Sequence, residues 1–199
     1  MVGDGDYFSS SRERGGEIMN KVKAVNSVTL KKWLEEKEPH FAEELAASLS
    51  PETRQIYQSL LAVQWLTTDA EKEILQNGAR LLFPGDPEAM ERLGHFLAHQ
   101  TMTGIYRLFL TIPSIHFVLR RVASMWSTFY QSGVASLKEV SPRRICLVVK
   151  DFAEMEPYQQ KMTTGYIQAI TELTGIKKAQ VSFNGQDPQA WEWQITWEE

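Results

Sequence analysis

A lone cysteine, Cys146, excludes an internal disulfide, and its place inside the apolar run ICLVV marks it as a small buried residue rather than a reactive thiol. Long apolar runs are missing too. None approaches the roughly 20 residues needed to cross a bilayer. The opening MVGDGDYFSS has no basic stretch followed by an apolar one, so a cytoplasmic protein without a membrane span is expected. Positive charge is not in excess: the formal net charge is -4, which gives no general attraction to nucleic acid or acidic membranes. Phosphate-cradling and nucleophile motifs are also absent, with no Walker A sequence, no GxGxxG after a strand and no GxSxG elbow. No catalytic residue is identified, and the chain reads as a non-enzyme.

What is present is ordinary globular composition, 43% hydrophobic and 23% charged, in a chain of 199 residues that suits one well-filled core. Residues 1–24, rich in Gly, Ser and charge, read as a flexible tail, leaving 25–199 as a single domain. From Ser27 the pattern is helical: VTLKKWLEEKE, then HFAEELAASL, then a Ser50-Pro51 start for ETRQIYQSLLAVQWL. Thr68 to Glu71 form a capping-box pattern for EKEILQNGARLL, and Asp86-Pro87 opens EAMERLGHFLAHQTM. Gly94 and Gly104 each cost a helix about 1 kcal/mol relative to alanine. Close helix crossing is the expected reason for them.

Residues from Pro113 to Tyr130 place Ile115, Val118, Leu119, Val122, Met125, Trp126, Phe129 and Tyr130 on one arc of a single long helix. His116, Arg120, Arg121 and Ser124 fall opposite, and Phe117 is an apolar misfit among them. Beyond Gly133 the period changes to two. VASLKEVS and RRICLVVKDF read as a hairpin, EPYQQKMTTGYIQAITELTG as an amphipathic helix, and KAQVSFNG with WEWQITWEE as two more strands. The expected fold is therefore α+β: an N-terminal helical bundle packed on a C-terminal four-stranded antiparallel sheet in ββαββ order.

Among the four histidines, His95 and His99 share one helix face at the i, i+4 spacing of many zinc ligands. They lack the HExxH glutamate, and no third or fourth ligand can be named, so an ordinary helix face is expected and no metal site. The ladder Trp191, Trp193 and Trp197 projects from one sheet face, where large aromatics fill a core or wall a ligand.

The succession LLFPGDPEAMERLGHFLA, GIYRLFLTI, a helix ending MWSTFYQSG, and then two strands, a helix and a strand pair resembles the 4-vinyl reductase type of small-molecule-binding domain. That type shares its fold with the haem nitric-oxide/oxygen binding (H-NOX) domains and the TRAPP vesicle-transport subunits, and this chain looks similar to an uncharacterised paralogous family of myxobacterial type. The family's terminal signature places two cysteines where Ser182 and Ala190 stand here, with Gly185 and Asp187 keeping a trace of its turn. H-NOX domains combine a proximal histidine with a Tyr-x-Ser-x-Arg motif. Tyr57, Gln58 and Ser59 begin that motif but lack the arginine, and His116 is an axial candidate by residue type alone, so no cofactor is expected.

The resemblance implies a regulatory or sensory module whose cavity, between helices and sheet, accepts a small hydrophobic ligand and signals to a protein partner. Phe109, Met125, Trp126, Phe129, Trp191 and Trp193 are the cavity candidates; Phe117, Arg120 and Arg121 are the partner-surface candidates. The alternative is a protein-interaction or scaffold domain, homodimeric or paired with a relative, with a filled core and no ligand.

Overall fold

A computed structural model describes residues 20–102, 115–152, 155–176, 178–187 and 189–198, apart from the side chain of Val122. Phe109, Gly104 and Pro113 lie outside the described residues. The first half is helical: α1 (Val25–Lys37), α2 (Pro39–Ser48), α3 (Pro51–Gln58), α4 (Thr68–Leu82) and α5 (Ala89–Thr101). Two short strands, β1 (Lys21–Lys23) and β2 (Trp65–Thr67), pair antiparallel beside them, with Val22 opposite Leu66. The second half holds α6 (Ile115–Ser124), α7 (Trp126–Phe129), β3 (Val134–Ser141), β4 (Arg144–Lys150), α8 (Pro157–Leu173), β5 (Gln180–Asn184) and β6 (Ala190–Thr196).

The four later strands form one antiparallel sheet in the order β3-β4-β6-β5, so the two hairpins meet through their inner strands. Register places Leu147 opposite Trp193 and Ile145 opposite Ile195. This explains the unbroken apolar run of β4. Ile145, Leu147 and Val149 join the main sheet core, while Cys146 and Val148 are buried on the opposite face with Ala190. The expected α+β architecture with its ββαββ half is the observed one.

Four local readings need correction. The stretch read as a tail includes β1, where Val22 is buried, and Ala24 just after it is buried as well, because pairing with β2 satisfies a backbone that the composition alone left open. The third helix stops at Gln58 instead of running to Leu66: Ser59 N–H turns back to the Ile56 carbonyl, and Gln64 supplies its carbonyl to Ala24. Helix α4 is capped by Thr67, whose hydroxyl accepts from the Ala70 N–H at 3.3 Å; this frees Glu71 from any capping role and sends it into the interior. The helix expected from Pro113 to Tyr130 is broken at Met125. There Trp126 turns inward, donates Nε1–H to the Ser132 carbonyl at 3.1 Å, and stacks on Tyr130 with ring centres 4.2 Å apart.

Two apolar cores result. One lies among α1–α5 and takes in Tyr158 and Met162; the other lies between the sheet and the α6–α7 segment and takes in Ile167. Helix α8 thus belongs to both. Its start is fixed by a reciprocal cap in which Glu156 and Gln159 bond each other's backbone N–H, and its end by Gly175 in the left-handed conformation at φ 86°.

Candidate functional site

The seam between the two cores contains a cavity of about 190 Å³. Every layer contributes a wall: Val22 from β1, Met102 just after α5, Val118 from α6, Trp126 from α7, Leu147 from β4, and Met162 and Ile167 from α8. The lining is mainly apolar, and three of the chain's seven methionines, Met102, Met125 and Met162, belong to it. Such flexible, polarizable side chains fit irregular space and adapt to an occupant.

The polar groups at this cavity are largely engaged. Thr101 and Tyr166 hydroxyls share a hydrogen bond of 2.6 Å across α5 and α8. Lys23 donates to the Val63 carbonyl at 2.7 Å and lies over the Trp65 ring. Tyr130, whose backbone bridges to Val22, is pushed well above its usual range by burial and then by the nearby Glu71, and so stays a neutral phenol.

Glu71 itself is fully buried, and desolvation pushes its carboxyl up to about 8 against the lowering effect of the Tyr158 hydroxyl. The Tyr158 oxygen is 3.0 Å from Glu71 Oε2 and 3.2 Å from the Thr68 carbonyl. One hydroxyl proton cannot serve both acceptors well. With Glu71 protonated, its O–H donates to Tyr158 and the tyrosine donates to Thr68, so the geometry and the raised pKa agree.

Met125, Trp126 and Phe129 line this cavity. Trp193 does not: it is fully buried in the sheet core and donates Nε1–H to Thr164 Oγ1 at 3.0 Å. Trp191 also lies off the cavity, half-buried and stacked on Phe183. These two tryptophans fill the sheet side because their register sets them opposite Val149 and Leu147 of β4. Of the partner-surface candidates, Phe117 is 47% exposed, Arg120 bonds Glu139 of β3 at 2.7 Å, and Arg121 contributes to the cavity wall. Met162, Tyr166 and Ile170, on the apolar face of the helix read as amphipathic from EPYQQKMTTGYIQAITELTG, border this space, which periodicity alone did not show.

No family model and no curated protein matches this sequence. Solved structures do. An H-NOX protein from S. oneidensis in an Fe(II)NO ligation state superposes with a TM-score of 0.64 at 12% identity, covering 89% of this chain and 99% of that one. The chain has the H-NOX fold. An unliganded Fe(II) H-NOX protein from K. algicida gives a TM-score of 0.55 at 12% identity, with 89% and 97% covered.

Haem does not fit the residues of this cavity. All four histidines lie elsewhere: His40 packs against Phe41 with the rings tilted by 42°, His95 and His99 face Glu172, and His116 meets the Trp197 ring edge-on at 6.1 Å. Tyr57, which begins the segment resembling the H-NOX motif, is buried in the helical core and is not one of the residues that line the cavity. An apolar cavity of about 150 Å³ accommodates benzene. At about 190 Å³ this one is little larger, far short of the room a porphyrin needs.

Proposed function

We propose that this protein is a non-enzymatic sensory module that binds a small apolar molecule of one or two rings in the cavity between its helical and sheet cores. The observation that carries the reading is that cavity, walled by both cores and lined in part by three methionines. The reading keeps the likeness to the 4-vinyl reductase type of ligand-binding domain, in place of the haem chemistry named for its structural neighbours. A ligand alters a protein only through different affinity for two arrangements. Here the responsive part is α7 with Tyr130. Trp126 walls the cavity, Tyr130 bridges to Val22, and the Gln131 N–H bonds the Lys21 carbonyl at 3.1 Å, so movement of α7 is felt by β1 and by α6, which carries the exposed Phe117. That surface is where a protein partner reads the state.

The test is titration of protein carrying ¹³C-methyl methionine with benzene and with indole. Signals of Met102, Met125 and Met162 shift saturably while Met90 and Met155 stay in place. Unmoved cavity methyls with both probes would sink the proposal. In that case the exposed Phe117, Val134 and Val140 favour the interaction-domain reading, which sedimentation at several concentrations decides.

A further inference from the structure

Helices α5 and α8 cross with their backbones in contact. A Cβ on Gly94 would fall on the Met162 carbonyl, and one on Gly165 on the Glu91 carbonyl, so neither position admits a side chain without moving a helix. This close crossing has a cavity side and an outer side. On the cavity side it sets Thr101 against Tyr166; on the outer side it sets His95 and His99 against Glu172.

The outer trio has the composition of a metal site. Two imidazoles one helical turn apart come from α5 and one carboxylate comes from α8, and one ligand atom from each lies within 4.8 Å of the others. His95 Nε2 is already 2.8 Å from Glu172 Oε2. Around zinc, with ligand distances near 2.1 Å, tetrahedral neighbours stand about 3.4 Å apart. Binding an ion therefore opens the His95–Glu172 pair slightly and draws any wider pair in, small rearrangements for side chains that are partly exposed.

The carboxylate is also held from behind. Gln168 Nε2–H donates to Glu172 Oε1 at 2.7 Å, and the same amide donates to the Ala179 carbonyl at 2.9 Å. That is the supporting partner expected for a ligating carboxylate, leaving the other oxygen for the ion.

We infer that His95, His99 and Glu172 form a binding site for a divalent transition-metal ion, zinc foremost, that staples α5 to α8 and leaves at least one coordination position for water or an incoming donor. Two nitrogens and one oxygen select a borderline ion such as Zn²⁺, Co²⁺ or Fe²⁺ over Mg²⁺ or Ca²⁺. The site is separate from the apolar cavity and stands whether or not that cavity takes a ligand.

The experiment is titration of the full chain, stripped with chelator, using Zn²⁺ by calorimetry and Co²⁺ by visible absorption. One equivalent binds, with a Co²⁺ spectrum of low coordination number and no response to Mg²⁺. His99→Ala and Glu172→Gln each weaken binding at least about 100-fold, whereas Gln168→Ala weakens it about 10- to 100-fold. His40→Ala changes nothing. His99→Cys restores binding and adds a sulfur-to-cobalt charge-transfer band, a gain that a variant merely damaged in folding does not show. No saturable binding, or binding that survives both His99→Ala and Glu172→Gln, overturns the assignment.

Discussion

Glu71 offers the sharpest test of the interior. Its carboxyl is fully buried with one oxygen unpartnered, and its pKa rises from 4.5 to about 8 on folding. The folded state therefore holds a proton that the unfolded chain releases. Stability from this group is fully present below pH 4.5 and is lost as pH rises towards 8. Each unit in that window costs about 1.4 kcal/mol, so at pH 7 the acid lowers stability by roughly 3 kcal/mol relative to a neutral side chain of the same shape. Glu71→Gln is that side chain. In urea unfolding at pH 5, 6, 7 and 8, its stability relative to the natural protein should increase by about 1.4 kcal/mol per unit. An imperfect amide geometry shifts the whole comparison by a constant and leaves the slope intact. A stability difference that stays level across the four pH values refutes the protonated, buried acid.

Two further predictions concern the seam. Gly165→Ala forces α8 away from the Glu91 carbonyl and costs about 3 kcal/mol by thermal or urea unfolding; an unchanged stability means the crossing is looser than the geometry requires. Val118→Phe places a ring in the cavity, abolishes the benzene-induced methionine shifts and leaves stability unchanged or raised by about 1 kcal/mol, whereas a loss of 1–3 kcal/mol shows that the space is already filled.

How much of this was legible in the sequence depends on the range over which each feature is decided. The β3–β4 hairpin and the β5–β6 pair carry a period of two within themselves, and α8 has its cap, apolar stripe and terminal glycine inside about twenty residues. Those elements could be read locally. The three residues of β1 have no usable period, and their strand exists because β2, more than forty residues later, supplies its hydrogen bonds. The break at Met125 is decided by contacts only a few residues on, since Trp126 donates to the Ser132 carbonyl and stacks on Tyr130, and a wheel that registers only apolar period favours the continuous helix.

The site features follow the same division. Periodicity shows that a face is buried but not what it is buried against, so Met162, Tyr166 and Ile170 looked like core where they border a cavity. Gly94 could be read as a close approach, but nothing local named Gly165 as its partner. His95 and His99 likewise displayed metal-ligand spacing with no third ligand in reach, because Glu172 stands 77 residues from His95 and arrives only when the two glycines let the helices touch. Removing that contact should separate the ligands without altering one of them, so Gly165→Ala weakens the metal affinity together with the stability, while a loss of stability at unchanged affinity would place the trio's geometry under the control of side-chain rotation alone.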